Sequence, residues 1–268
     1  MKYWKEYNGH VPNILGQKKK YDNTIYTFDI ETTSFLILHD KQISPDKYLD
    51  LSEKDQEDSI PMSNMYIWMM GINEVVYYGR TWEELEYFLE RIEMFSCREK
   101  KYVYVHNLSY EFQYLRNHFE IKDVFSRKSR KVMKCTLEKH NFEFRCSYYM
   151  SGVALEKLPS IYGLNTKKLV GNLDYNIQRN SKTKLTEKEL SYCENDCLVV
   201  YEYIKKELET YKTLKNIPLT STGHVRKELK EKVSDDYKYK GYVRNSINVD
   251  PHVYNLLISA FARRIYTF

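Results

Sequence analysis

Four acidic residues combine a type and a spacing that could do chemistry: Asp29 and Glu31 in Tyr26-Thr27-Phe28-Asp29-Ile30-Glu31-Thr32-Thr33, Glu111 in His106-Asn107-Leu108-Ser109-Tyr110-Glu111-Phe112, and Asp196 in Tyr192-Cys193-Glu194-Asn195-Asp196. Carboxylate oxygens suit hard cations such as Mg²⁺ or Mn²⁺, whereas the seven scattered histidines do not. Brought together, four carboxylates could hold two ions against a phosphodiester. Such a pair activates water and stabilises the leaving 3′ oxygen of an in-line displacement.

Each group also has a plain structural reading. Asp29 and Glu31 leave a strand on the same face, which serves a shared ion or an ordinary strand-end polar pair equally well. Tyr192 and Asp196 are neighbours on a helix, either a surface hydrogen bond or a phenol that orients water beside an ion. Tyr110 is available to stack on a base, and Thr32 offers a hydroxyl to a terminal nucleotide. Cys193 and Cys197 could share a metal, but no Cys or His pair stands nearby at zinc spacing.

These residues need elements to position them. Ile25 to Ile30 reads as a buried strand ending at the Asp-Ile-Glu triplet, and residues 39–61 as a polar, Pro-bounded surface insertion. Met65 to Gly71 and Glu74 to Tyr78 read as a hairpin turning at Ile72-Asn73. Thr81-Trp82-Glu83-Glu84 is a capping box, opening a helix with Trp82, Leu85, Phe88, Leu89 and Ile92 on one face. A strand at Tyr102 to Val105 leads into a helix near Asn107. Strands at Lys131 to Glu138 and Phe142 to Ser147 follow; Arg127, Lys128, Arg130, Lys131 and Lys134 mark either a charge-protected edge or a phosphate-contact patch. Helices are expected over Val153 to Tyr162, Thr186 to Leu214, Thr220 to Val233 and Pro251 to Phe261. Strands alternating with helices predict an α/β layer.

Composition bounds the rest. With 268 residues, 42% of them hydrophobic, the chain can bury a real core, and a net charge of +5 tolerates a polyanionic partner without demanding one. Five cysteines without a C-x-x-C pair suggest reduced thiols in a cytoplasmic protein. The start lacks an apolar signal region, and the longest apolar stretches, Met65 to Ile72 and Val253 to Ala262, are too short to span a bilayer. Most of the 26 tyrosines are expected half-buried in strands rather than as base platforms.

With these motifs in order, the chain resembles the amino-terminal 3′–5′ exonuclease region of the protein-primed, family-B DNA polymerases of phages and linear plasmids. That family carries Asp-x-Glu, Asn-x-x-(aromatic)-Asp and Tyr-x-x-x-Asp, matched here by Asp29-Ile-Glu31, Asn107-Leu-Ser-Tyr110-Glu111 and Tyr192-Cys-Glu-Asn-Asp196. Leu155-Glu156-Lys157-Leu158-Pro159 and Gly171-Asn172-Leu173-Asp174-Tyr175 resemble two further stretches, so the likeness spans about residues 22–230. It implies an RNase H-like exonuclease fold of the tyrosine subclass: an α/β mixed sheet flanked by helices, with a C-terminal helical segment. It implies two Mg²⁺ or Mn²⁺ ions held by Asp29, Glu31, Glu111 and Asp196, with Tyr192 beside them. Thr32, Asn107, Tyr110 and Tyr175 would hold a single-stranded DNA 3′ end. Further implied are a cytoplasmic phage or prophage protein in a bacterial host and, as partners, a separate polymerase chain or a terminal priming protein.

The expected domains are a lead-in over 1–21, the exonuclease domain over 22–215 and a helical segment over 216–268 that leads toward an absent polymerase domain. Two departures bear on activity. Glu111 stands where the family has Asp, and a misplacement of about 1 Å can cost ~10²-fold. Val170 stands where the family has a catalytic-site Lys. The competing readings are a decayed fragment that binds single strands without cutting, and a stand-alone nuclease acting on RNA.

Overall fold

The structure, a computed structural model, describes residues 1–9, 23–96, 100–166 and 177–235. Its centre is a long antiparallel pair. Strand β2 (Tyr26–Leu38) and strand β4 (Ile60–Ile72) are 13 residues each and run side by side through most of their length. Between them, β3 (Lys41–Ile43) folds back on β2, and a 3-10 turn and the short helix α1 (Glu53–Asp58) lie at the surface. A tight turn at Asn73-Glu74 joins β4 to β5 (Val75–Gly79).

On the other side of β2 the strands run parallel. β6 (Lys101–Val105) pairs with β2 and with β9 (Phe142–Cys146), which pairs antiparallel with β8 (Val132–Leu137); β7 (Ile121–Ser126) closes that edge. At the opposite edge β1 (Lys2–Tyr3) pairs parallel with β5. The described residues thus form a nine-stranded mixed sheet ordered β1-β5-β4-β2-β6-β9-β8-β7, with β3 beside β2.

Alternation sends opposite faces of the strands to different helices. Phe28, Ile30, Trp68 and Met70 face α2 (Trp82–Phe95), whose Leu85, Phe88, Leu89 and Ile92 are fully buried. Each such side chain contributes about 1.5–3 kcal/mol relative to exposure. α3 (Leu108–His118) joins this core through Leu108 and Leu115. Ile67, Met69 and Val76 face the other way, onto Cys193 and Cys197 of α6 (Glu187–Tyr211). Further along α6, Val199, Val200, Tyr203 and Ile204 pack with Ile25, Tyr104 and Leu158. Capping boxes start α2 and α6 at the expected residues, Thr81 with Glu84 and Thr186 with Glu189.

Several expectations are corrected. β2 does not end at the Asp-Ile-Glu triplet but runs seven residues further, to Leu38, because β4 offers a matching ladder. The hairpin turns one residue later than expected, at Asn73-Glu74, where Asn73 adopts the positive φ of 53° that Asn tolerates. The helix expected over Val153 to Tyr162 is a 3-10 turn followed by the short helix α5 (Leu158–Tyr162), after the separate α4 (Ser147–Ser151). The edge strand is β7, which was not anticipated, rather than β8. Near the N-terminus, Trp4 and Tyr7 are core residues.

The chain divides into two compact units, Met1–Ser221 and Thr222–Phe268. Helix α7 (Ser221–Asp235) begins at the boundary residue, and the helix expected over Pro251 to Phe261 lies outside the described residues. Among the described residues no helix is long and apolar enough to cross a membrane.

One half-buried acid in the first unit makes stability depend on pH. Burial pushes Glu207 of α6 up to about 7, opposed by a hydrogen bond with Tyr203. A folded-state pKa above the unfolded value favours the fold below about pH 4.5, an advantage lost as pH rises through about 7. Because the group is partly solvated, Glu207→Gln is expected to stabilise the protein at pH 8 by about 1 kcal/mol, with no gain at pH 4.5. Urea midpoints at the two pH values check this.

Candidate functional site

Period two puts Thr27, Asp29 and Glu31 on the α6 side of β2, opposite Gly71, Met69 and Ile67 in register. Between Glu31 and Thr32 the register slips and Tyr66 is left without a Cα partner on β2, a bulge of the kind that re-aims side chains beside sites. Parallel β6 follows β2 only at Tyr26↔Val103 and Thr27↔Tyr104. Beyond Thr27 the two strands part, and Asp29 stands at the opening. Clefts at the carboxyl ends of parallel strands are where open α/β sheets bind ligands.

Gly71 leaves room for the Thr27 side chain of the neighbouring strand: a Cβ at Gly71 would overlap Thr27 Oγ1, and the Cys197 thiol of α6 hydrogen-bonds both Thr27 and the Gly71 backbone. The branched Thr27 side chain has few rotamers in which to yield. Gly71→Ala is therefore expected to destabilise the fold by about 1–3 kcal/mol, read from the urea midpoint.

Helix α6 brings Asp196 to this face. Asp196 is 8% exposed, on the buried stripe with Cys193 and Cys197, and Tyr192 packs partly buried against the same cluster. Burial raises the Asp29 carboxyl well above the usual carboxylate range, followed by the charges of Glu31, Glu111 and Asp196, against a lowering hydrogen bond with the Ile30 backbone. The surfaces of Asp29 and Glu31 nonetheless stay partly open, as on the floor of a cleft. From the helix side, burial and then Glu31, Asp29, Cys197 and Asp196 raise the Cys193 thiol. The two cysteines are buried core residues, and burial is the largest cause raising both thiols.

Glu111 arrives from the first turn of α3. It is 3% exposed, and burial pushes it up to about 8, opposed by its own backbone N–H and assisted by the Glu31 charge. Its Oε2 is buried with no hydrogen-bond partner. Asp29 therefore feels the charges of the other three carboxylates identified by spacing, which come from β2, α3 and α6.

Two of the proposed strand-holding residues meet as well. The Thr32 and Tyr110 hydroxyls share a hydrogen bond, Tyr110 continues to the Tyr114 hydroxyl at 3.4 Å, and Tyr114 donates to Ser63 Oγ at 2.8 Å. Tyr110 keeps 42% of its surface exposed. Asn107 precedes α3 in the left-handed region at φ 72°, ψ 48°, which Asn adopts more readily than most residues. Its exposed side chain makes no capping bond. Tyr175 and Val170 lie outside the described residues.

Arg179 was not anticipated. Its backbone N–H donates to Thr33 Oγ1 at 3.1 Å, its guanidinium donates to Glu189 Oε1 at 2.8 Å, and it lies 5.7 Å from the centre of the Tyr66 ring. Burial and then the Glu31 charge raise the Tyr66 hydroxyl. Arg80 Nε donates to Tyr66 O at 2.6 Å, fixing the bulge from behind. Only Glu189 carried a signal, and it was that of a capping box.

In donor chemistry this set fits a hard divalent cation: all-oxygen, repelling one another, with the orphaned Glu111 Oε2 among them. In spacing it is not a finished chelate, since among the described residues no three His, Cys, Asp or Glu side chains are arranged to hold an ion.

No protein-family profile and no curated protein matches the chain. Solved structures do match. Phi29 DNA polymerase complexed with primer-template DNA, a post-translocation binary complex, aligns at 15% identity and a TM-score of 0.56, over 79% of this chain and 35% of that one. Its orthorhombic crystal form aligns at 14% identity and a TM-score of 0.51, over 74% and 32%. The ternary complex with primer-template DNA and incoming nucleotides gives 16% and 0.50, over 70% and 31%. At these identities the likeness is one of fold, a mixed α/β architecture shared with part of that polymerase. The chain spans about a third of the length of these structures.

Proposed function

We propose that this chain is the 3′–5′ exonuclease region of a protein-primed, family-B DNA polymerase, RNase H-like in fold, which hydrolyses the 3′ ends of single-stranded DNA. The observation that carries the reading is the convergence on Asp29 of the charges of Glu31, Glu111 and Asp196, from β2, α3 and α6. Likeness of fold to part of a polymerase, 79% of this chain in the binary complex, supports it.

In this reading Asp29, Glu31, Glu111 and Asp196 hold two divalent ions, which when bound activate water and stabilise the leaving 3′ oxygen. The chain's own groups do the positioning. Tyr192, one turn ahead of Asp196, orients the attacking water. Thr32 and Tyr110, already joined by a hydrogen bond, together with Asn107, hold the terminal nucleotides, Tyr110 offering its exposed ring to a base. Tyr175 joins them as a fourth strand contact. Arg179 and Glu189 fix Tyr66 and Thr33, and through them the bulge that ends the Asp29–Glu31 segment.

The test is digestion of a 3′-labelled oligonucleotide with Mg²⁺ or Mn²⁺, beside a matched RNA strand, since the 2′-OH separates the two substrates. Release of mononucleotides from DNA is expected; preference for RNA would replace the reading with an exoribonuclease. The open spacing of the carboxylates and the longer side chain at Glu111 favour one second reading, a protein that binds single strands without cutting. There, Glu111→Asp is expected to create activity that the wild type lacks; activity in the wild type would dispose of it.

A further inference from the structure

The ribbon of β7 and β8 carries a charge that the reading above does not use. Its turn is closed by bonds from Arg127 N to Lys131 O at 3.1 Å and from Lys131 N to Lys128 O at 3.0 Å, with Arg130 at φ 58°. Arg127, Lys128, Arg130 and Lys131 are all exposed. Other cations of the ribbon are spent on ion pairs, Lys122 on Glu138 at 3.3 Å and Lys134 on Glu143 at 3.5 Å. The four at the tip have no carboxylate partner among the described residues. Four like charges in one turn repel one another, a cost that a polyanion removes.

Edge protection does not explain them. A guard against strand pairing stands along the edge itself, where β7 already has Lys122, two register irregularities and Asp123 at φ 52°. The tip cations lie beyond the paired residues. They are instead tied to the candidate site: Val132 N, at the base of the turn, donates to Ser109 Oγ at 2.9 Å, and Ser109 lies between Asn107 and Glu111 on α3. Tyr149, half-buried against the core, hydrogen-bonds Ser109 and also feels the charge of Arg127. Exposed aromatic surface accompanies this line: Phe125 at 51%, Tyr148 at 40% and Tyr110 at 42%. Cations for phosphates interleaved with aromatic faces for unpaired bases are the recognition chemistry of a single strand.

We infer that the β7–β8 tip grips the phosphates of a single-stranded nucleic acid upstream of the 3′ end that the carboxylates receive. The inference rests on the functional reading of that centre, and places the incoming strand along α3 and over the Tyr149 side of the ribbon.

The experiment is fluorescence anisotropy with labelled single-stranded DNA of about 20 nucleotides and with a trinucleotide, in EDTA, across a salt series. It compares wild type with the triple variant R127Q/K128Q/K131Q; Arg130 is kept because of its positive φ, and thermal melts confirm folding. Each phosphate contact contributes about 0.7 to the slope of log K against log salt, so the long strand is expected to lose about 2 from its slope, while trinucleotide affinity stays unchanged. Phe125→Ala is expected to weaken the long strand about ten-fold with its slope retained. An unchanged slope, or an equal loss on the trinucleotide, overturns the inference. So does loss of binding to phosphatidylserine vesicles alone, which would make the partner a lipid surface. Absence of nuclease activity together with the slope change would retire the nuclease reading and leave the tip as a strand-binding surface; cleavage with no slope change would retire the tip alone.

Discussion

Asp29→Asn is expected to lower Mg²⁺-dependent release of mononucleotides by more than about 10²-fold, since even the outer partners of metal ligands cost 10–100-fold when removed. The same substitution is expected to raise the melting temperature in EDTA. Both effects have one cause. The Asp29 carboxyl is desolvated and lies in the field of Glu31, Glu111 and Asp196, so its charge opposes the metal-free fold while being what a cation requires. The amide keeps the shape and removes the charge. Opposite signs for activity and stability separate this from damage to the fold, which would lower both. The measurements are a 3′-labelled digestion and a paired thermal melt in EDTA and in Mg²⁺; a variant that melts lower in EDTA would show that Asp29 is held by bonds rather than strained by repulsion.

The shared faces of these acidic residues were legible in the sequence because they depend on short-range periods. Residues 29 and 31 share a face through the two-residue repeat of a strand, and Tyr192 and Asp196 through the helical turn. The capping boxes at Thr81 and Thr186 are equally local, closed within four residues. What escaped was whatever depends on partners remote in the chain. β2 reads as ending at Glu31 because the polar Thr32-Thr33-Ser34 breaks the apolar run, yet these residues pair with Met65, Asn64 and Ser63. β7 was hidden because its outward residues are exposed and its bulges, with Asp123 at positive φ, destroy alternation. Arg179 reaches Tyr66 across more than a hundred residues, with no spacing that announces it.

Glu111 then becomes the residue on which metal, pH and stability meet. Its carboxyl, pushed up to about 8, binds a proton in the metal-free fold that the unfolded chain releases near 4.5. Stability from this group is complete below about pH 4.5 and is lost as pH rises through about 8, a change of a few kcal/mol for a fully buried acid. Metal-free protein is accordingly expected to weaken between pH 5 and pH 8, and Glu111→Gln to remove most of that slope. In the proposed two-ion site, Mg²⁺ would work against the same proton. It is expected to stabilise the wild type far more at pH 8 than at pH 5.5, where binding must displace the proton from Glu111, and to stabilise Glu111→Gln weakly at both. Urea midpoints at two pH values, each with EDTA or Mg²⁺, contain the whole comparison. If Mg²⁺ stabilises Glu111→Gln as much as wild type at pH 8, then Glu111 lies outside the ion-binding set, and Asp29, Glu31 and Asp196 hold the cation without it.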